Sequence, residues 1–314
     1  MTPREAAAPS AEAGVAPARG KLGGVMVPVT TPFDPQTGDV APVSFRDNLR
    51  RWMAEPLDGA VLFGSTGEGK LLDEDEKLRL LELARDVVPE EKALIVGAGA
   101  ESTRATIRQV KPVGELGADA VLVSAPPYFG STLGPDALLE HYRAVADASP
   151  VPVLVYHIPK FTHVNMEAGL IGELSRHPNI AGIKDSSGDV KRFAAYSEQV
   201  PADFRLLVGS GALLYTALEL GAAGGIVAVG LLAPAECARI LHEFRAGNTR
   251  DAGRAQTRIA PVHNEVIARY GARGAKAGLD LLGMSGGAPR PPLKSLTDKE
   301  RKGVAQAMER AGLL

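Results

Sequence analysis

The chain has 314 residues, of which 45% are hydrophobic and 23% charged, with a formal net charge of −2. That is the composition of a globular protein of one large or two small domains, with no electrostatic footprint for nucleic acid or an anionic membrane. The single cysteine, Cys237, excludes an internal disulfide framework and any multi-cysteine metal site, and favours a reducing, cytoplasmic setting.

In chain order, residues 1–20 are rich in Ala and Pro, lack the apolar segment of a signal peptide, and read as a disordered tail. No stretch of about 18 uninterrupted apolar residues follows, so no transmembrane helix is expected. Short apolar runs then recur at 25–29, 59–63, 93–97, 120–124, 151–156, 180–184, 205–208 and 225–229. Segments with helical spacing lie between them, among them 74–87, 103–116, 136–146, 167–174 and 213–220. Strands that are apolar throughout and alternate with helices indicate parallel βαβ units covered on both faces. Eight such strands close a (β/α)8 TIM barrel over 21–233; a doubly wound open sheet is the alternative. Helical patterns alone fill 234–314, at 235–246, 250–269, 274–282 and 297–311, with a Gly/Pro-rich connector at 283–292. Together they predict a C-terminal helical extension.

Catalytic groups of such a barrel sit where its strands end. Those positions carry Thr30-Thr31, the glycine-rich run 64–69, the Pro126–Gly130 region, Tyr156, Lys184 and Gly209-Ser210-Gly211. Lys184 closes the run Ile180-Ala181-Gly182-Ile183. A strand-end lysine commonly snorkels to water, but burial disfavours the ammonium form, and a neutral amine attacks carbonyls to form a Schiff base. Tyr156 is either rim packing or a proton shuttle for that amine, and Tyr128 either a surface aromatic or an extension of the same relay. Gly64-Ser65-Thr66-Gly67-Glu68 reads as a βα turn or as a backbone cradle for a carboxylate. Two other matches are decoys. Gly64, Gly69 and Lys70 fit part of a P-loop, but Leu71 stands where a magnesium-binding hydroxyl is needed. Gly97-Ala98-Gly99 lacks the third glycine of a dinucleotide fingerprint, and Ser102 reads instead as a helix cap. The six histidines have no metal-ligand spacing, and neither metal nor cofactor is expected.

The segments Gly64-Ser65-Thr66-Gly67-Glu68, Tyr156-x-x-Pro159 and Gly182-Ile183-Lys184-Asp185 together resemble the signature of the dihydrodipicolinate synthase / N-acetylneuraminate lyase superfamily. The resemblance runs from about residue 21 to 314. It implies a pyruvate-type class I aldolase on a TIM barrel, with Lys184 as the Schiff-base lysine and Tyr156 as proton relay. By the same resemblance Ser65 links two tyrosines, and Tyr128 supplies the second, in several members across a dimer interface. Ser65 and Thr66 would bind the keto acid carboxylate, Ser186 would contact substrate, and Gly209 and Val227 would line the pocket. A small 2-keto acid is the implied partner and a homo-oligomer, dimer or tetramer, the implied assembly. The segments 144–150, 177–180 and 184–190 look most like 4-hydroxy-2-oxoglutarate aldolases, which yield pyruvate and glyoxylate. Phe161 stands where the synthases proper carry an arginine that grips the second substrate, and Thr66 where the 4-hydroxy-2-oxoglutarate group commonly has Asn. A synthase, a 2-keto-3-deoxy sugar acid aldolase or dehydratase, and a non-catalytic keto-acid sensor are the alternatives.

Overall fold

The computed structural model describes residues 20–314, so the tail expected over 1–20 lies, except for Gly20, outside the described residues. Eight strands run β1 (Gly24–Pro28), β2 (Gly59–Leu62), β3 (Ala93–Ala98), β4 (Ala120–Ser124), β5 (Val153–His157), β6 (Ile180–Asp185), β7 (Arg205–Val208) and β8 (Gly224–Ile226). They pair in parallel in sequence order, and β8 returns to β1 through Gly24–Gly224, closing the barrel. The (β/α)8 TIM barrel is thus confirmed and the open sheet excluded. Closure leaves no strand edge unpaired.

The helices are α1 (Pro42–Met53), α2 (Glu74–Arg85), α3 (Thr103–Val110), α4 (Pro135–Ala148), α5 (Pro159–Thr162), α6 (Ala168–Leu174), α7 (Val190–Gln199) and α8 (Leu214–Glu219). The C-terminal extension adds α9 (Pro234–Arg245), α10 (Thr249–Val262), α11 (Ala272–Leu281) and α12 (Asp298–Arg310). Their starts follow local chemistry. Proline opens α1, α4, α5 and α9, where its missing N–H costs nothing. Capping boxes Asp73/Glu76 and Thr297/Glu300 open α2 and α12, and Ser102 accepts the Ala105 N–H at 3.1 Å to cap α3. Helix α3 stops well short of residue 116: Lys111 still has helical dihedrals, but Pro112 lacks the N–H that would continue the ladder. The span 250–269 is not one α-helix: after Pro261 the chain widens into a π-helical turn over His263–Ala268.

Two apolar cores result. Met26, Val61, Ile95, Leu122, Leu154, Leu207 and Ile226 fill the barrel interior, and Tyr156 stands at the end of this column. A larger shell packs the outward faces of the strands against the helices. One irregularity matters for the site. Between Val153–Ile180 and Leu154–Gly182 the β5–β6 register slips by one residue, which leaves Ala181 as an extra position. Ile180 and Ile183 both belong to the outer shell while Ala181 faces inward. Strict alternation would turn residue 184 the same way as residue 180; the bulge turns it inward instead, opposite Tyr156 and Leu207.

Candidate active site

Lys184 is buried, at 4% exposure, and its Nζ lies 4.5 Å from the centre of the Tyr156 ring. It forms no ion pair among the described residues. The snorkelling alternative is therefore ruled out, and the amine stands next to an aromatic face and a phenol. Tyr156, itself 7% exposed, places its hydroxyl 3.5 Å from Ser65 Oγ. Ser65 lies on the loop after β2. Neither its backbone N–H nor that of Thr66 has an acceptor among the described residues, so both donors are open to an anion.

That loop is tightly held. Gly67 and Gly69 donate to the Gly64 carbonyl at 3.1 and 3.2 Å, and the Thr31 hydroxyl donates to the Gly67 carbonyl at 2.7 Å. A Cβ on Gly67 would meet the Val29 carbonyl at 2.7 Å, and one on Gly69 would run into the Phe63 backbone. The glycines there are needed for close approach. Phe63 and Glu68 bracket the loop in left-handed conformations, with φ of 57° and 55°.

A cavity of about 360 Å³ opens over this corner, its walls including Ser65, Tyr156, Ile158, Phe161, Pro292 and Leu293. Lys184 does not line the cavity; its Nζ faces the ring of Tyr156, which does. Ser186 continues β6, and its N–H donates to the His157 carbonyl at 2.8 Å. Gly209 follows β7, donating to the Asp185 carbonyl at 2.7 Å, and any side chain on it would collide with Ser186. Val227 is wholly buried beyond β8, its N–H bonded to the Met26 carbonyl at 3.0 Å. Tyr128 differs from the rest. It is 80% exposed, among the described residues its ring pairs only with Phe129, edge-on, and its backbone N–H donates to Glu101 at 3.0 Å. The single chain does not bring it to Tyr156.

The decoys resolve in the same way. Lys70 folds back to donate to the Gly99 carbonyl, and Leu71 lies in a short 3-10 turn ahead of α2. No group of three His, Cys, Asp or Glu among the described residues is placed to hold a metal, and no helix among them is long and apolar enough to cross a membrane.

Several polar groups around the site escaped the sequence reading. His157 Nδ1 meets Asp185 Oδ1 at 2.8 Å, both fully buried, and the Asp185 carboxylate also accepts the Ser187 N–H and hydroxyl. The Met166 N–H reaches His157 Nε2 at 3.4 Å, which leaves the proton on Nδ1 to donate to Asp185. The Tyr196 hydroxyl donates to the Met166 carbonyl at 2.6 Å, and burial, then the Asp185 charge, push this phenol above its usual range. This network pins the ends of β5 and β6 on their outer face, one residue beyond Tyr156 and Lys184. A signal existed: if Tyr156 and Lys184 face each other inward, the residues that follow them face each other outward. His263 offered no such signal. From the π-helical turn it donates through Nε2 to Ser210 Oγ at 3.2 Å and accepts the Gly211 N–H at 3.2 Å.

Comparison with known proteins agrees with this geometry. The model of the dihydrodipicolinate synthetase family matches residues 21–311. The 4-hydroxy-tetrahydrodipicolinate synthase of Acidiphilium cryptum is 33% identical over 294 residues, covering 93% of this chain and 99% of that one. That of Syntrophus aciditrophicus is 32% identical over 291 residues, with 93% and 99% covered. The crystal structure of the DHDPS of Cyanidioschyzon merolae superposes with a TM-score of 0.89 at 30% identity, covering 94% of this chain and 99% of that one. The chain belongs to the dihydrodipicolinate synthetase family of enzymes.

Proposed function

We propose that this protein is a Schiff-base lyase acting on pyruvate-type 2-keto acids, with Lys184 as the nucleophile. The observation that carries the reading is an unpaired, buried lysine amine 4.5 Å from the Tyr156 ring, beside a loop with two open backbone N–H donors. Lys184 Nζ, as the neutral amine, attacks C2 of the keto acid, and Tyr156 with Ser65 transfers the proton that lets water leave. The protonated imine then draws electrons from C3. In the cleavage direction the 4-hydroxyl gives up its proton, the C3–C4 bond breaks, an aldehyde departs and the electron pair remains as an enamine. Protonation at C3 and hydrolysis return pyruvate and the free lysine. In the synthetic direction the same enamine adds to the carbonyl of a second substrate. Ser65 and Thr66 are assigned to the keto acid carboxylate, and Ser186, Gly209 and Val227 to the remaining walls.

The far end of the substrate separates the finer readings. The name shared by the relatives supports synthesis of 4-hydroxy-tetrahydrodipicolinate more strongly than the cleavage of 4-hydroxy-2-oxoglutarate that residues 144–150, 177–180 and 184–190 suggest. Against both stands the rim itself. Phe161 is 52% exposed on the cavity wall beside Ile158, Pro292 and Leu293, with no guanidinium at that position to grip a carboxylate. Reduction with borohydride in the presence of pyruvate tests the core of the proposal: an adduct on the peptide bearing Lys184 is expected, and its absence removes the Schiff-base lyase and leaves the non-catalytic keto-acid sensor. A panel of 4-hydroxy-2-oxoglutarate, 2-keto-3-deoxy sugar acids and 4-hydroxy-tetrahydrodipicolinate formation then selects the reaction.

A further inference from the structure

The C-terminal extension reaches the carboxylate loop through a buried ion pair. Lys276 on α11 places Nζ 2.6 Å from Glu68 Oε1, with both side chains only 1% exposed. The ammonium also donates to the Ala288 carbonyl at 2.9 Å and lies 4.4 Å from the centre of the Phe33 ring. The other carboxylate oxygen, Glu68 Oε2, accepts the Arg290 N–H at 2.9 Å. The Arg290 guanidinium in turn forks onto Glu76 at 2.6 Å through each nitrogen and donates to the Leu71 and Gly38 carbonyls. Glu68 is therefore gripped at both oxygens by the extension, three residues after Ser65 and two after Thr66.

The backbone of Glu68 points the same way. A non-glycine residue in the left-handed region is uncommon and strained, a cost that Gly would avoid. The left-handed conformation falls on Glu68 and not on the neighbouring Gly67 or Gly69; a strained glutamate there is explained by what its carboxylate holds. The pair itself is an expensive way to gain stability, because both charges must leave water and a neutral pair of similar shape is often as stable. Its distinctive property is directional. It fixes where residue 68 sits relative to α11. Burial pushes the Lys276 ammonium down from its ordinary value, and the Glu68 carboxylate is the main influence that holds the charge on it.

We infer that Glu68 and Lys276 are a positioning pair for the keto acid site: the C-terminal helices, through this ion pair, set the direction of the Ser65 and Thr66 N–H groups that receive the substrate carboxylate. The ligand named here rests on the Schiff-base reading of Lys184; the clamp on the loop does not. Neither residue touches the reacting atoms. Their effect falls on how tightly pyruvate is held and little on the bond-making at Lys184.

The test compares Lys276→Met, Glu68→Gln and the double variant, using the full chain. Four readouts are followed: the pyruvate concentration for half-maximal borohydride trapping at Lys184, kcat, the melting temperature, and hydrogen exchange of the amides at 64–69. Misdirecting the two N–H groups is expected to raise the half-trapping concentration by about ten- to a hundredfold, while trapping at saturating pyruvate remains complete and kcat changes little. Removing one partner lowers the melting temperature; removing both charges restores it but leaves pyruvate binding weak. Should Lys276→Met not fold, Glu68→Gln, which keeps the shape and the Arg290 contact, carries the comparison. An unchanged half-trapping concentration in the folded variants, or a double variant that recovers affinity together with stability, overturns the proposal. If the unaltered chain traps no pyruvate, the Schiff-base reading fails by itself. Exchange at 64–69 then decides the clamp, with faster exchange in Lys276→Met supporting it and unchanged exchange refuting it.

Discussion

At the scale of single residues, the site depends on which groups Lys184 and Tyr156 keep near them. Lys184→Ala is expected to abolish both the borohydride adduct and turnover; an active Lys184→Ala protein would end the Schiff-base proposal. Tyr156→Phe keeps the ring against Lys184 Nζ but removes the hydroxyl that meets Ser65 Oγ. A lost proton relay slows turnover by about 10²–10⁴-fold, and imine trapping persists because the amine is intact. Near-normal steady-state rates in that variant would take the relay away from Tyr156. Gly209→Ala offers a sharper steric test. The added methyl would meet the Asp185 carbonyl at 3.1 Å and displace Ser186, so KM is expected to rise and the melting temperature to fall.

At the scale of elements, the bulge at Ala181 and the π-helical turn at His263–Ala268 do work that ideal elements would not. The bulge sends Lys184 into the barrel after a stretch that begins with an outward-facing Ile180. The π-helical turn carries His263 against the loop that follows β7. Burial lowers the His263 pKa to about 4, from an ordinary value of 6.5. The unfolded chain therefore takes up a proton near pH 6.5 that the folded chain refuses until about pH 4. Stability contributed by neutral His263 is full above pH 6.5 and is lost progressively as the pH falls toward 4. His141 on α4, also lowered to about 4 by burial, adds to the same window. Urea midpoints measured from pH 7 to 4 should fall steeply, and His263→Gln should flatten the slope; an unaltered slope would show that His263 does not titrate in this way.

At the scale of the whole molecule, the rim of the site is unusually apolar for a surface. Tyr128, Phe129, Phe161 and Leu293 are all exposed, and the first two lie in the loop after β4. The implied homo-oligomer remains a proposal: a second copy seated on this loop would cover these side chains and would bring Tyr128 to a relay that the single chain does not give it. Sedimentation at assay concentrations should then show dimers or larger species, and Tyr128→Ala should weaken both assembly and turnover; a fully active monomer would leave Tyr128 outside the chemistry. The alternation of apolar and helical segments was enough to predict eight parallel strands, because strands buried on both faces carry an unbroken apolar run whatever their partners, while the β8–β1 pairing decided between barrel and open sheet. Local chemistry likewise fixed the helix starts, and three short motifs singled out Lys184, Tyr156 and Ser65. The sequence by itself thus determined the strands and their order, and it proposed the nucleophile. The long-range pairs His157–Asp185, Ser210–His263 and Glu68–Lys276 join residues 28 to 208 positions apart, and no periodicity records which buried charge will find which. Those pairings, the inward turn of Lys184 and the outward stance of Tyr128 were decided only by the closed tertiary structure, where register and packing set which side chains meet.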